Sequence, residues 1–191
     1  MILAPNLAGF PHGFGLRDSE YPAGIVLAKQ IHSNIVLDCA GEGDALISNT
    51  GIVGIRTADC VPILLADPVT NSVAAVHAGW RGTVADIVGE AVTALAQRWY
   101  TRPGDIHAAI GPCIGPCCYE VGPEVARQFG IEGTEKTHLD LPAENERRLR
   151  EAGVRNIWKS GECTFCARER FFSYRREREE AGRMISFIGP G

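Results

Sequence analysis

The sequence predicts an α/β domain of the α+β kind, with mixed sheets. Three observations carry that class. Short apolar runs of strand length recur along the chain, and amphipathic helices interrupt them. Strands and helices also intermix without the strict alternation of a doubly wound parallel sheet. With 191 residues, 45% hydrophobic and 22% charged, the chain is long and apolar enough to bury one real core. Residues 1–191 are therefore read as a single domain.

The elements follow in order. "AGIVLAKQIHSNIVLD" reads as two short strands, Ile25 to Lys29 and Asn34 to Asp38, around a polar "QIHS". "GEGDALIS" is a glycine-rich turn leading into another apolar segment. In "GIVGIRTADCVPILLAD" a strand, an interruption and a second apolar run succeed one another. Pro62 has no amide hydrogen to give a ladder, which predicts an edge, a bulge or a break beside Asp59 and Cys60. "NSVAAVHAG" is a buried strand after the turn "DPVTN". The clearest helix comes next, because Val84, Ile87, Val88, Ala91, Val92 and Leu95 recur at three- and four-residue steps as one stripe. Thr83 is its expected N-cap, and "HAGWRG" is the turn of a strand–turn–helix unit from Val73 to Arg98. "DIHAAIGP" is a strand, and "CIGPCCYEVGPEV" is a loop, with a short helix from Pro123. "LPAENERRLREAG" is a second helix, with Asp140 near its N-cap, Pro142 in its first turn and Gly153 closing it. "VRNIWKS" and "RMISFIG" are strands.

A net charge of −4 argues against broad binding to nucleic acid or to an anionic membrane. The basic residues of "RERFFSYRREREEAGR" are interleaved with glutamates and read as a solvated, self-paired face. No run approaches the roughly twenty apolar residues of a membrane span. The N-terminus lacks the basic start and apolar run of a signal peptide, so the default address is cytoplasmic. Seven cysteines, an odd number at irregular spacing, fit a disulfide framework badly and are read as reduced thiols.

Three residues with useful chemistry adjoin polar or Gly/Pro breaks at strand ends: His32, Cys60 and His77. Two imidazoles and a thiolate make a three-ligand zinc site with a fourth position left for water or substrate. Alternatively, Cys60 is a nucleophile and a histidine its base. The long spacing does not by itself bring the three together. Gly79 to Thr83 precede a helix, so the free amides at Gly79 and Gly82 favour an anion, and Arg81 offers a fork of donors for phosphate or carboxylate. The alternative is that Trp80 packs an edge while Arg81 pairs with a surface acid. Cys163 and Cys166 form a C-x-x-C pair, and Cys113, Cys117 and Cys118 lie in "PCIGPCC". Buried inert thiols are expected there, with a structural zinc built from both segments as the alternative.

Taken together, "QIHS", "RTADCVPILL", "AAVHAGWRGTV", "IGPCIGPCCYEVG" and "CTFCARERFFSYRR" resemble the laccase-domain family, in order from His12 to Ile188. Its members are called polyphenol oxidases, multicopper oxidoreductase-like proteins and purine nucleoside phosphorylases. The resemblance implies an α/β/β/α layered fold similar to the catalytic domain of the cytotoxic necrotizing factor deamidases. It implies a catalytic and metal site at His32, Cys60 and His77, holding zinc, with copper as the alternative. The implied reactions are phosphorolysis of adenosine, inosine, guanosine and methylthioadenosine to base and ribose-1-phosphate, and hydrolytic deamination of adenosine. A Cys-dependent amidohydrolase of peptidoglycan-precursor editing and a polyphenol oxidase are the alternatives, and a monomer or small homo-oligomer is expected. Arg17, which the resemblance adds to the substrate- or phosphate-binding residues, matches the family's N-terminal arginine loosely, and the Gly-Gly-x-Ser part of that region is absent here. Five histidines are too few for a blue-copper site plus a trinuclear cluster.

Overall fold

The computed structural model describes residues 1–191. Six strands form the central sheet: β3 (Val36–Leu37), β4 (Ala45–Ser48), β6 (Val61–Asp67), β7 (Ser72–Ala78), β8 (His107–Ile110) and β11 (Asn156–Lys159). Their order is β11-β8-β6-β7-β4-β3, antiparallel at the centre and parallel at both edges. A second sheet, in the order β1-β12-β5-β2, contains β1 (His12–Phe14), β2 (Val26–Leu27), β5 (Val53–Thr57) and β12 (Met184–Ile188). Two further strands, β9 (Glu120–Val121) and β10 (Thr137–His138), pair with each other.

The period of two along a strand divides the core in half. On β6, Ile63 and Leu65 face one core with helices α2 (Ile87–Trp99) and α4 (Leu141–Glu151). Leu64 and Ala66 face the other, with Phe14, Val53, Ile55 and Ile188 of the second sheet. β7 splits likewise, Val76 to the helices and Val73 to the second sheet. Both central strands are thus covered on both faces, which is why they read as unbroken apolar runs. The layers run helices, large sheet, small sheet, a mixed α/β arrangement as the sequence predicts.

The chain breaks at Asp59 and Cys60 between β5 and β6, as expected, and Pro62 stands as the second residue of β6, opposite His77. Its carbonyl accepts from the Gly111 amide at 2.9 Å, so its missing N–H faces β8 where that strand has just ended. Pro62 thus sits at the end of the β6–β8 pairing, which closes with Ile63 opposite Ile110.

The helix after β7 also differs. The stripe Ile87, Val88, Ala91, Val92 and Leu95 is buried, the larger members contributing about 1.5–3 kcal/mol each. That helix begins only after Asp86, which takes a left-handed conformation (φ 59°) and caps the Gly89 amide. Ahead of it lies a separate short helix, α1 (Trp80–Val84), so the apolar period crosses a break. Thr83 caps nothing; its buried hydroxyl accepts from Asn145 Nδ2 at 3.0 Å and ties α4 to the "HAGWRG" turn. The short helix expected from Pro123 is α3 (Pro123–Ala126), and Asp140 caps α4 by accepting from the Ala143 amide at 3.0 Å.

Candidate active site

Asp44, wholly buried just before β4, organises the site. Its carboxylate accepts from the amides of Ile31 (3.3 Å), His32 (3.0 Å) and Ser33 (2.6 Å) and from the Ser33 hydroxyl (2.7 Å). These bonds hold His32 at φ 61°, a left-handed conformation that costs a side-chain-bearing residue about 1–3 kcal/mol. The same carboxylate receives a hydrogen bond from His77 Nδ1 at 2.8 Å. His77 presents its other nitrogen toward the site.

Cys60 enters from the turn before β6, and the ligand atoms of His32, Cys60 and His77 all lie within 4.8 Å of one another. The two imidazoles meet edge to face, with centroids 4.9 Å apart. Gly79 makes this approach possible, because a Cβ there would stand 3.2 Å from both Cys60 Sγ and the His32 ring. Gly82 presses on the His32 loop, its would-be Cβ lying 3.1 Å from the Ser33 carbonyl. Both glycines therefore serve close packing.

Electrostatics follow from this geometry. Burial opposes ionisation of Cys60, but the facing His77 and His32 outweigh it and bring the thiol down to about 6. Burial likewise opposes charging of His77, and Cys60 with Asp44 overrides it to lift the imidazole to about 9. Asp44 is held well below the usual carboxylate range, as bonds from His77 and Ser33 overcome the cost of burial. Without a metal, the arrangement is a thiolate–imidazolium pair steadied by a carboxylate. Its donor set, with the outer nitrogen of His77 already fixed by Asp44, also fits a zinc ion with an open position.

Asp59 (φ 87°), beside Cys60, gathers the remaining walls. Its carboxylate accepts from Thr164 Oγ1 (2.6 Å), Ser173 Oγ (3.0 Å) and the Arg175 amide (2.6 Å), and its carbonyl accepts from Ile114 N. The cavity so enclosed has a volume of about 620 Å³ and includes His32, Cys60, His77, Tyr119 and Tyr174. Arg56, Arg175, Arg178 and Arg183 also line it, and none of the four forms an ion pair. Arg175 stacks on Tyr119 at 5.2 Å and donates to the Glu120 carbonyl at 2.8 Å.

Arg81 stacks over Trp80 at 4.5 Å and, with Gly79, His32 and Cys60, lines a recess of about 120 Å³ that adjoins the main cavity along Asp59, Ile114 and Tyr119. The long helix starts beyond Asp86, so its dipole is not aimed through Gly79 and Gly82. Arg17 is engaged elsewhere: it pairs with Glu177, bonds the Arg168 and Phe171 carbonyls and lies over Phe172. The C-terminal basic segment is self-paired only in part. Arg170 and Arg176 have glutamate partners, whereas Arg175, Arg178 and Arg183 face the cavity.

The chain belongs to the family described as multi-copper polyphenol oxidoreductase laccase, whose model matches residues 15–190. A purine nucleoside phosphorylase of Clostridium acetobutylicum is 38% identical over 96% of this chain and 81% of its own. Adenosine deaminase RL5, from an unknown prokaryotic organism, is 39% identical over 79% of this chain and 64% of its own. The crystal structure of YlmD from Geobacillus stearothermophilus superposes with a TM-score of 0.87 at 30% identity, covering 98% of this chain and 94% of that one. His12 bonds Ala4 and Phe10, His107 bonds Asn6, and His138 stands on β10, leaving two histidines at the site. No helix is long and apolar enough to cross a membrane.

Proposed function

We propose that this chain is a purine nucleoside phosphorylase acting on adenosine, inosine, guanosine and methylthioadenosine, and that it deaminates adenosine at the same site. One observation carries the reading: the His32–Cys60–His77 set opens into a nucleoside-sized cavity whose wall holds four arginines without carboxylate partners. Relatives named purine nucleoside phosphorylase and adenosine deaminase support it.

Arg56 and Arg175 hold phosphate beside the ribose, where its negative charge complements the oxocarbenium-like carbon as the glycosidic bond breaks. A phosphate oxygen bonds to that carbon, and the electron pair of the broken bond leaves with the purine. Tyr119, whose hydroxyl is pushed up to about 12 by burial and by Cys60, stays protonated and donates a hydrogen bond to the departing base. His32, Cys60 and His77 would hold zinc, which when bound supplies Lewis acidity toward water and the purine ring. Asp44 keeps His77 in the tautomer that leaves Nε2 free for that role.

A second reading rests on the same Asp44–His77–Cys60 line, which is also the arrangement of an activated thiol nucleophile in an amidohydrolase. Metal content and ribose-1-phosphate release, measured for wild type, Cys60→Ala and His77→Ala, decide between them. Joint loss of one metal and of phosphorolysis supports the phosphorylase. Unchanged phosphorolysis in both variants removes the assignment, and metal-independent amide hydrolysis abolished by iodoacetamide at Cys60 favours the thiol enzyme.

A further inference from the structure

The four remaining clustered thiols do not behave as buried inert residues. Cys117 and Cys166 are exposed, Cys118 and Cys163 half-buried, and only Cys113 of this region is fully enclosed. Their four sulfurs all lie within 4.8 Å of one another. Cys166 Sγ stands 3.3 Å from Cys118 Sγ and 3.7 Å from Cys117 Sγ. Zinc–sulfur bonds of about 2.3 Å at tetrahedral angles place sulfurs about 3.8 Å apart, so the cluster already has the spacing of four thiolates around one ion.

The surrounding backbone is built for the same purpose. The Gly115 amide donates to Cys163 Sγ at 3.3 Å, a bond that favours the thiolate. A Cβ on Gly115 would lie 3.4 Å from Cys117 Sγ and 3.6 Å from Cys163 Sγ, so a side chain there would crowd the sulfurs. A parallel bridge between Cys113 and Cys163 sets the two loops in register, with Thr164 N bonded to the Cys113 carbonyl at 2.9 Å.

We propose that Cys117, Cys118, Cys163 and Cys166 bind a structural zinc ion, separate from the His32–Cys60–His77 set. Four thiolates close the coordination sphere and leave no position for substrate, so this ion serves as a clip. It joins the loop carrying Ile114 and Tyr119 to the segment carrying Thr164, and both reach Asp59 beside Cys60. Binding releases the thiol protons and involves no oxidation.

The test uses full-length protein purified with reductant and without oxygen. The double variant Cys60→Ala/His77→Ala leaves the four-cysteine cluster untouched, and it is expected to retain one zinc per chain by elemental analysis. Cobalt loaded into that variant should show the intense visible bands of a tetrahedral thiolate site. Adding Cys117→Ser and Cys166→Ser should abolish both signals. A Cys60→Ala/His77→Ala protein that takes up no zinc, that carries iron at the cluster, or whose intact mass shows disulfides among these thiols overturns the proposal. Loss of phosphorolysis has no bearing on this outcome, so the two readings fail separately.

Discussion

Replacing Asp44 by Asn perturbs the site with almost no change of shape. Oδ1 accepts from His32 N and His77 Nδ1, while Oδ2 accepts from Ile31 N, Ser33 N and Ser33 Oγ. An amide nitrogen at the Oδ2 position would orphan two backbone donors, so it settles at the Oδ1 position and orphans one. There it confronts His32 N and turns His77 around, so that Nδ1 accepts and Nε2 carries the proton. One lost charge-assisted bond and one unpaired buried donor amount to about 3 kcal/mol. A ring whose Nε2 is protonated cannot ligate through it, and loss of such a supporting carboxylate weakens metal binding about 10–100-fold. Urea unfolding and competitive zinc titration of Asp44→Asn read the two effects. Zinc affinity within about twofold of wild type, with less than about 0.5 kcal/mol of destabilisation, would refute the role given to Asp44.

Gly79→Ala puts a methyl group 3.2 Å from Cys60 Sγ and the His32 ring, and a zinc titration should show at least about tenfold weaker binding at that site with the fold intact by circular dichroism. Arg175→Ala and Arg56→Ala should each raise the KM for phosphate about tenfold or more, whereas Arg17→Ala should leave it unchanged and lower the melting temperature. Glu177 is held below the ordinary glutamate range because Arg176 and Arg17 outweigh its burial, so its stabilisation is present above the unfolded value and lost as pH falls through the folded one. Glu177→Gln should therefore cost about 1 kcal/mol at pH 7, with the gap to wild type narrowing in thermal melts as the pH falls below the ordinary glutamate range.

The sequence made legible whatever depends on local period or local chemistry. Ile87 to Leu95 announce a buried helical face, and the runs of β6 and β7 announce strands covered on both sides. His32, Cys60 and His77 stand out by type and by their place at strand ends, but their convergence is set by the sheet register that puts Pro62 opposite His77. Asp44 gave no signal in "GEGD", because its partners lie 11 to 33 residues away. The break at Asp86 was hidden because the apolar spacing runs straight across it. Whether an arginine in "SYRRERE" faces glutamate or the cavity depends on how Asp59 anchors that segment, which charge pattern alone does not encode. The thiol cluster likewise exists only because Cys113 and Cys163 pair across 50 residues of sequence.

Phosphorus NMR of purified protein with inosine and inorganic phosphate, run beside Cys60→Ala, tests directly whether the chain is a phosphorylase. Wild type should give a growing ribose-1-phosphate resonance, dependent on added phosphate, and the variant none above background. Equal ribose-1-phosphate formation by both proteins, or none by a folded, zinc-loaded wild type, would contradict the assignment.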